Sequence, residues 1–200
     1  MTRLRPIVLA ALISIGAGCI SHRERQHVYA LDAALDAERN AEAVLKGPEL
    51  QLQRVLVPDY LDTTDLVLRV STHEIRESST GRLAERLSLG VTHALRSDLA
   101  ARIPMDTMVL AQPADKSARR IAVNVDAFDV WPNGRCVLAA DWSILGADRG
   151  GVLAADRGTF TTAAASGGSS NDAAIVSAMA DAVHQLGDRI ASTVRALPPP

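Results

Sequence analysis

The chain has 200 residues, 48% hydrophobic and 22% charged, with a formal net charge of −2. That is enough for one compact domain of roughly 150 residues plus termini and too little for two independent cores. Aromatic residues make up only 3%, so Val, Leu, Ile and Ala must fill the interior, and the few rings and acidic balance argue against nucleic acid as a partner.

At the amino terminus Arg3 and Arg5 precede an apolar run from Ile7 to Ile15, and Gly16-Ala17-Gly18 stands directly before Cys19. This is the layout of an export signal. The run falls short of the ~20 residues that span a bilayer. "GAGC" looks like a bacterial lipobox, in which the cysteine is acylated and becomes the first mature residue, although Gly16 stands where Leu is usual. Residues 1–18 are therefore read as a lipoprotein signal peptide and Cys19 as the lipidation site. The plainer alternative is a soluble periplasmic protein with an incidental cysteine. Removal of residues 1–18 takes away Arg3 and Arg5 and no acid, which moves the formal net charge from −2 to −4.

Residues 19–48 are polar, with an Ala- and Glu-rich stretch stopped by Gly47-Pro48. They read as a tether, with "HVYAL" (27–31) as a first short strand. The folded domain is assigned to residues 49–200. "ELQLQRVLVPDYL" (49–61) alternates and then turns wholly apolar until Pro58, as a strand entering a buried position does. "DLVLRVSTHEIRES" (65–78) alternates at Leu66, Leu68 and Val70. Two strands joined by a turn are expected.

From Gly81 the period changes. Leu83, Leu87, Val91, Leu95, Leu99 and Ile103 fall every fourth residue, the stripe of a helix packed by one face, with Ser79 or Thr80 as cap and Pro104 as limit. A polar loop, "QPADKSARR", follows. "IAVNVDAFDVW" (121–131), "RCVLAADWSILG" and "VLAADRGTFTTAA" read as a three-stranded antiparallel meander, with an Asn133-Gly134 turn and a second turn at "ADRGG". "SGGSSND" reads as a link ending in cap residues. Ile175, Met179, Val183, Leu186, Ile190, Val194 and Leu197 then mark a long amphipathic helix. The fold class is α/β of the α+β type: a two-layer sandwich, a mainly antiparallel sheet covered by two amphipathic helices.

Catalysis or metal binding should leave a cluster of nucleophile, base and oxyanion donors, or of ligands at metal spacing. The five histidines are scattered and none forms a ligand pair; His93 and His184 fall off the apolar stripes and read as solvated. "GADRGG" reads as a hairpin turn, not a phosphate loop. There is no GxSxG. Asp126 and Asp129 are expected on opposite faces of one strand. Cys136 opens an apolar run, has no disulfide partner if Cys19 is acylated, and reads as a small buried hydrophobe. Trp131 and Trp142 flank the turn and read as a packing pair across the hairpin. The expected catalytic residues, metal ligands and cofactors are none, and the chain is not read as an enzyme. Pro58, Tyr60 and Leu61 lie on a connection, where contact residues concentrate; Tyr60 reads equally as a partner contact or as a plug at the sheet edge.

The order of these pieces resembles the ABC-type transport auxiliary lipoproteins of the PqiC/YmbA kind. The likeness is carried by the lipobox-like cysteine, the strand with Tyr29-Ala30-Leu31, "VLVPDYLDTTDLVLR" with its Pro-x-Tyr-Leu element, the helix "RLAERLSLGVTHALRSDLAARIP", the strands of residues 121–144 and the final helix. Leu83-Ala84 and Thr63-Thr64-Asp65 depart from the family's usual residues. The resemblance implies an accessory of MCE-type lipid transport in Gram-negative bacteria, held at the periplasmic face of the outer membrane by acyl chains on Cys19. Its implied partner is a PqiB-like MCE-domain channel protein, and its implied state a homo-oligomer, with a ring as one form. The rival reading is a periplasmic lipid- or solute-binding lipoprotein with a pocket between helices and sheet.

Overall fold

The computed structural model describes residues 26–31, 49–103, 107–110, 119–147, 150–164 and 172–198. Cys19, the signal segment, most of the tether, the loop at 111–118 and the link at 165–171 lie outside the described residues. Among the described residues, two helices and two sheets surround one core. The larger sheet has the order β5(Thr107–Leu110), β2(Glu49–Leu52), β6(Arg119–Val130), β7(Arg135–Leu145), β8(Val152–Ala163). The smaller has β1(His27–Tyr29), β4(Ile75–Leu83), β3(Asp65–Arg69). Helices α1(Leu87–Arg102) and α2(Asp172–Arg195) complete the chain.

The α+β sandwich is present, and its strongest parts are those with the cleanest pattern. Along β7 every second residue from Cys136 to Ile144 is buried, as a strand with one covered face requires. The β6–β7–β8 meander is antiparallel throughout. Its first turn is a three-residue one: Gly134 N donates to Trp131 O (2.8 Å) and Trp131 N to Arg135 O (2.9 Å). Gly134 has φ of 82°, the left-handed conformation that glycine adopts without steric cost. The six stripe residues of α2 from Ile175 to Val194 are buried and Leu197 packs half-buried against them.

Four expectations are corrected. The helix does not begin at Gly81: Ile75–Leu83 is strand β4, and α1 starts at Leu87. Of the two expected caps, Thr80 serves a distant group instead: its Oγ1 donates to Asp172 Oδ2 (2.5 Å), and Ser78 Oγ joins it on the same carboxylate (3.0 Å). The first two amides of α1 are served from outside the helix, Leu87 N donating to Thr63 O (3.2 Å) and Ser88 N to Asp62 Oδ1 (3.2 Å).

Residues 49–78 do not form a hairpin. β2 lies in the larger sheet between β5 and β6, parallel to both, while β3 pairs antiparallel with β4 in the smaller. Asp126 and Asp129 do not point to opposite faces, because a register shift between Val125 and Ala127 leaves both outside the buried series of β6. Trp131 and Trp142 do not pack together. Trp142 is buried opposite Val123 and donates to Thr193 Oγ1 (3.3 Å), whereas Trp131 carries the Arg135 guanidinium 4.8 Å from its ring centre.

The two helices meet through a charged seam. Asp98 is buried, with Oδ1 2.6 Å from His184 Nδ1 and 3.0 Å from Arg102 Nη1. Arg102 also pairs with Asp188. Gly187 permits this approach, since a Cβ there would sit 3.1 Å from Asp98 Cβ. His184 is thus a paired side chain, and His93 likewise contacts Glu85 at 2.9 Å.

Candidate protein-contact site

The stretch after β2 sets the geometry of the candidate contact surface. Gln53 N donates to Ile121 O (2.9 Å), Leu56 N to Val123 O (3.1 Å), and Val125 N to Leu56 O (2.8 Å), so the chain continues alongside β6. This places Val55 in the core and leaves Leu56 64% exposed. The chain then turns, with Leu61 N donating to Pro58 O (2.9 Å) and Thr63 N to Leu61 O (2.8 Å).

The turn separates the three residues singled out above. Pro58 is half-buried at its start, Tyr60 is 43% exposed at its crest, and Leu61 points into the core at 4%. Of the trio, only Pro58 and Tyr60 offer surface. Leu56 is the apolar residue on this stretch that sequence periodicity left among buried positions and the structure turns outward.

An ion pair stiffens the ledge from behind. Arg69 at the end of β3 donates through Nε to Asp129 Oδ1 of β6 (2.5 Å), through Nη1 to Thr72 O (3.1 Å), and more weakly through Nη2 to Tyr60 Oη (3.5 Å). The Asp129 hydrogen bond raises the guanidinium pKa above its ordinary value against the opposing effect of burial, with the Asp129 charge adding to the rise. One arginine therefore joins both sheets and steadies the tyrosine ring.

The base of the ledge is tied to α1. Arg54 reaches Ser88 Oγ (2.6 Å) and Asp62 Oδ2 (3.5 Å), and Val55 N donates to Thr92 Oγ1 (3.0 Å). Burial pushes the Asp62 carboxyl up, but hydrogen bonds from the Ser88 side chain and backbone, with the charges of Arg54 and Arg86, leave it below its ordinary value. No short-range sequence signal could show these ties, because their partners come from three elements.

The chemistry available here is recognition by an apolar and aromatic ledge. Among the described residues, no three His, Cys, Asp or Glu side chains come together as a metal site. Cys136 is fully buried, and burial pushes its thiol up to about 12, so it is protonated at neutral pH and a poor nucleophile. The internal cavity lined by Leu61, Leu66, Leu83, Phe128 and Met179 has about 10 Å³, the space of one water molecule. A lipid acyl chain does not fit in it. No described helix is long and apolar enough to cross a membrane.

The family model of the ABC-type transport auxiliary lipoprotein component matches residues 29–191. A search of curated proteins found no match. Among solved structures, one uncharacterised protein superimposes with a TM-score of 0.70 at 19% identity, covering 86% of this chain and 99% of its own. Protein XCC0632 from Xanthomonas campestris, of family DUF330, gives a TM-score of 0.61 at 13% identity, covering 74% of this chain and 84% of its own. At these identities the two likenesses speak for the fold alone.

Proposed function

From the premise that the chain belongs to the ABC-type transport auxiliary lipoprotein family, we propose that it is an outer-membrane-anchored periplasmic accessory that docks an MCE-domain channel protein and so supports lipid traffic between membranes. Family membership makes it an auxiliary component of ABC-type transport and not a member of an enzyme class. The finer reading adds acyl chains on Cys19 as the anchor and a homo-oligomer as the working form. Its mechanism is positional. Acyl chains hold one end at ~0.8 kcal/mol per buried methylene, and two or more chains make residence stable. The tether sets the reach, and the Tyr60 ledge meets the partner.

The observation that carries the docking role is the exposure of Leu56, held by backbone bonds to β6, and of Tyr60, held by Arg69, on a family member whose task is auxiliary to a transporter. Tyrosine is among the side chains enriched where protein contacts draw most of their energy. The rival carrier reading needs a cavity for lipid, which the small void lined by Leu61, Leu66, Leu83, Phe128 and Met179 does not supply.

The test is capture of the full-length acylated protein from native membranes after mild cross-linking, with mass spectrometry of what is attached. Recovery of an MCE-domain protein from the wild type, and about tenfold less from Tyr60→Ala, is the expected result. Capture without any MCE-domain protein, together with phospholipid on the isolated domain, would overturn docking in favour of the carrier.

A further inference from the structure

We propose that the turn between β6 and β7, Trp131 to Arg135, is a second membrane contact, which rests on phospholipid headgroups and fixes how the domain stands on the membrane that anchors it. This inference rests on the Cys19 anchor of the proposed function and deepens it. The chain has two tryptophans, and they sit in opposite surroundings. Trp142 is buried and its indole N–H donates to Thr193 Oγ1. Trp131 is only half-buried, its ring carries the exposed Arg135 guanidinium, and among the described residues no acceptor meets its indole N–H. The turn that presents the pair is preset. Besides the two backbone bonds that close it, Arg135 N donates to Asn133 Oδ1 (3.1 Å) and Ala164 N to Gly134 O (2.8 Å). A contact made by a preset turn loses little freedom on binding.

The chemistry of the turn and the place where the chain enters the domain argue for lipid as the occupant. Tryptophan concentrates at membrane–water interfaces, where its ring meets apolar chains and its N–H meets oxygen acceptors. A guanidinium pairs with phosphate. Residues 130–137 and 159–164, which make the turn and the strand ends around it, contain no acid, and Asp129 behind them is paired with Arg69. The tip is therefore apolar and basic, the complement of an anionic lipid surface. α2 runs antiparallel to β8, with Arg189 on Asp156 and Ala178 O accepting from Thr162 (2.6 Å). Its first residue, Asp172, thus lies at the end of the sandwich that carries the turn. Asp172 also faces Gly81, where a Cβ would stand 2.6 Å from its Oδ2, and Gly81 is paired with His27. The tether consequently joins the domain at that same end. Eight steps along the chain separate His27 from Cys19, a reach of at most about 28 Å. Acyl chains on Cys19 hold this end toward the lipid.

The test is tryptophan fluorescence of the full acylated chain in vesicles of phosphatidylethanolamine and phosphatidylglycerol that carry a lipid spin-labelled near its headgroup. Intact mass reports the acyl chains on Cys19 independently. Wild-type emission is expected to be quenched about threefold more than that of Trp131→Phe, in which only the buried Trp142 emits. Arg135→Glu is expected to reduce that quenching about twofold, and Arg135→Lys to retain it. Quenching no greater in the wild type than in Trp131→Phe, or left unchanged by Arg135→Glu, overturns the contact while leaving the anchor. A Trp131 that escapes the lipid quencher and is shielded from aqueous acrylamide only when an MCE-domain protein is added also overturns it, and gives the turn to that protein. A chain without acyl mass on Cys19 that stays in solution overturns the anchor reading, and the contact with it.

Discussion

The two sheets of this molecule are held by different forces. In the larger sheet, β6 and β7 send Ile121, Val123, Val125, Phe128, Cys136, Leu138, Trp142 and Ile144 under the helices at 3% exposure or less, and burial of apolar area dominates. The smaller sheet contributes Leu66, Leu68 and Leu83 to the same core, but its strands number three, five and nine residues. Its placement depends on polar clasps: Arg69 to Asp129, Ser78 and Thr80 to Asp172, and Asp62 to the start of α1. The contrast shows that the ledge beside the small sheet is positioned by directional bonds, whereas its support is held by packing.

Three changes test that contrast. Leu138→Ala removes a fully buried side chain from β7 and should cost about 3 kcal/mol, read as a lower midpoint in a denaturant titration; a cost below about 1 kcal/mol would mean the larger sheet is not packing-dominated. Asp172→Ala strips the acceptor from two hydroxyls at a site 6% exposed. It should cost about 2 kcal/mol and should speed amide exchange in β4 more than in β7. Equal acceleration in both strands would deny the smaller sheet its separate attachment.

The smallest effect concerns acid. The Asp62 carboxyl titrates below its ordinary 3.8 in the folded chain, so its contribution is complete above that value and is lost as pH falls through the depressed folded pKa. Asp62→Asn keeps an oxygen facing Ser88 N, and should cost only about 0.5 kcal/mol at neutral pH. It should also flatten the fall in stability below pH 4. An unchanged acid limb would remove Asp62 from the account.

What the amino-acid pattern could reveal follows the same division. α2 and the meander were legible because each is long and each alternates at one unambiguous period. The start of α1 was not, because Leu83 and Leu87 keep helical spacing across a boundary and Thr80 beside Gly81 imitates a cap while serving a carboxylate 92 residues away. β5 has only four residues, and the parallel partners of β2 lie more than 50 positions along the chain. In the candidate site, Tyr60 was visible as a ring on a connection. Leu61 turning inward, Leu56 turning outward and Arg69 reaching Asp129 across 60 residues depend on tertiary placement that local periodicity does not encode.

The clasp on Asp172 also orders events in time. Its carboxylate opens the last helix, and the hydroxyls it gathers stand 92 and 94 residues earlier. A chain delivered amino terminus first, by synthesis or by translocation, must hold Ser78 and Thr80 of β4 without their acceptor until Asp172 arrives. Such distant closure makes folding slow and leaves apolar strands open to aggregation while they wait. A chain cut before α2 would lack that acceptor, and β4 would lose this attachment.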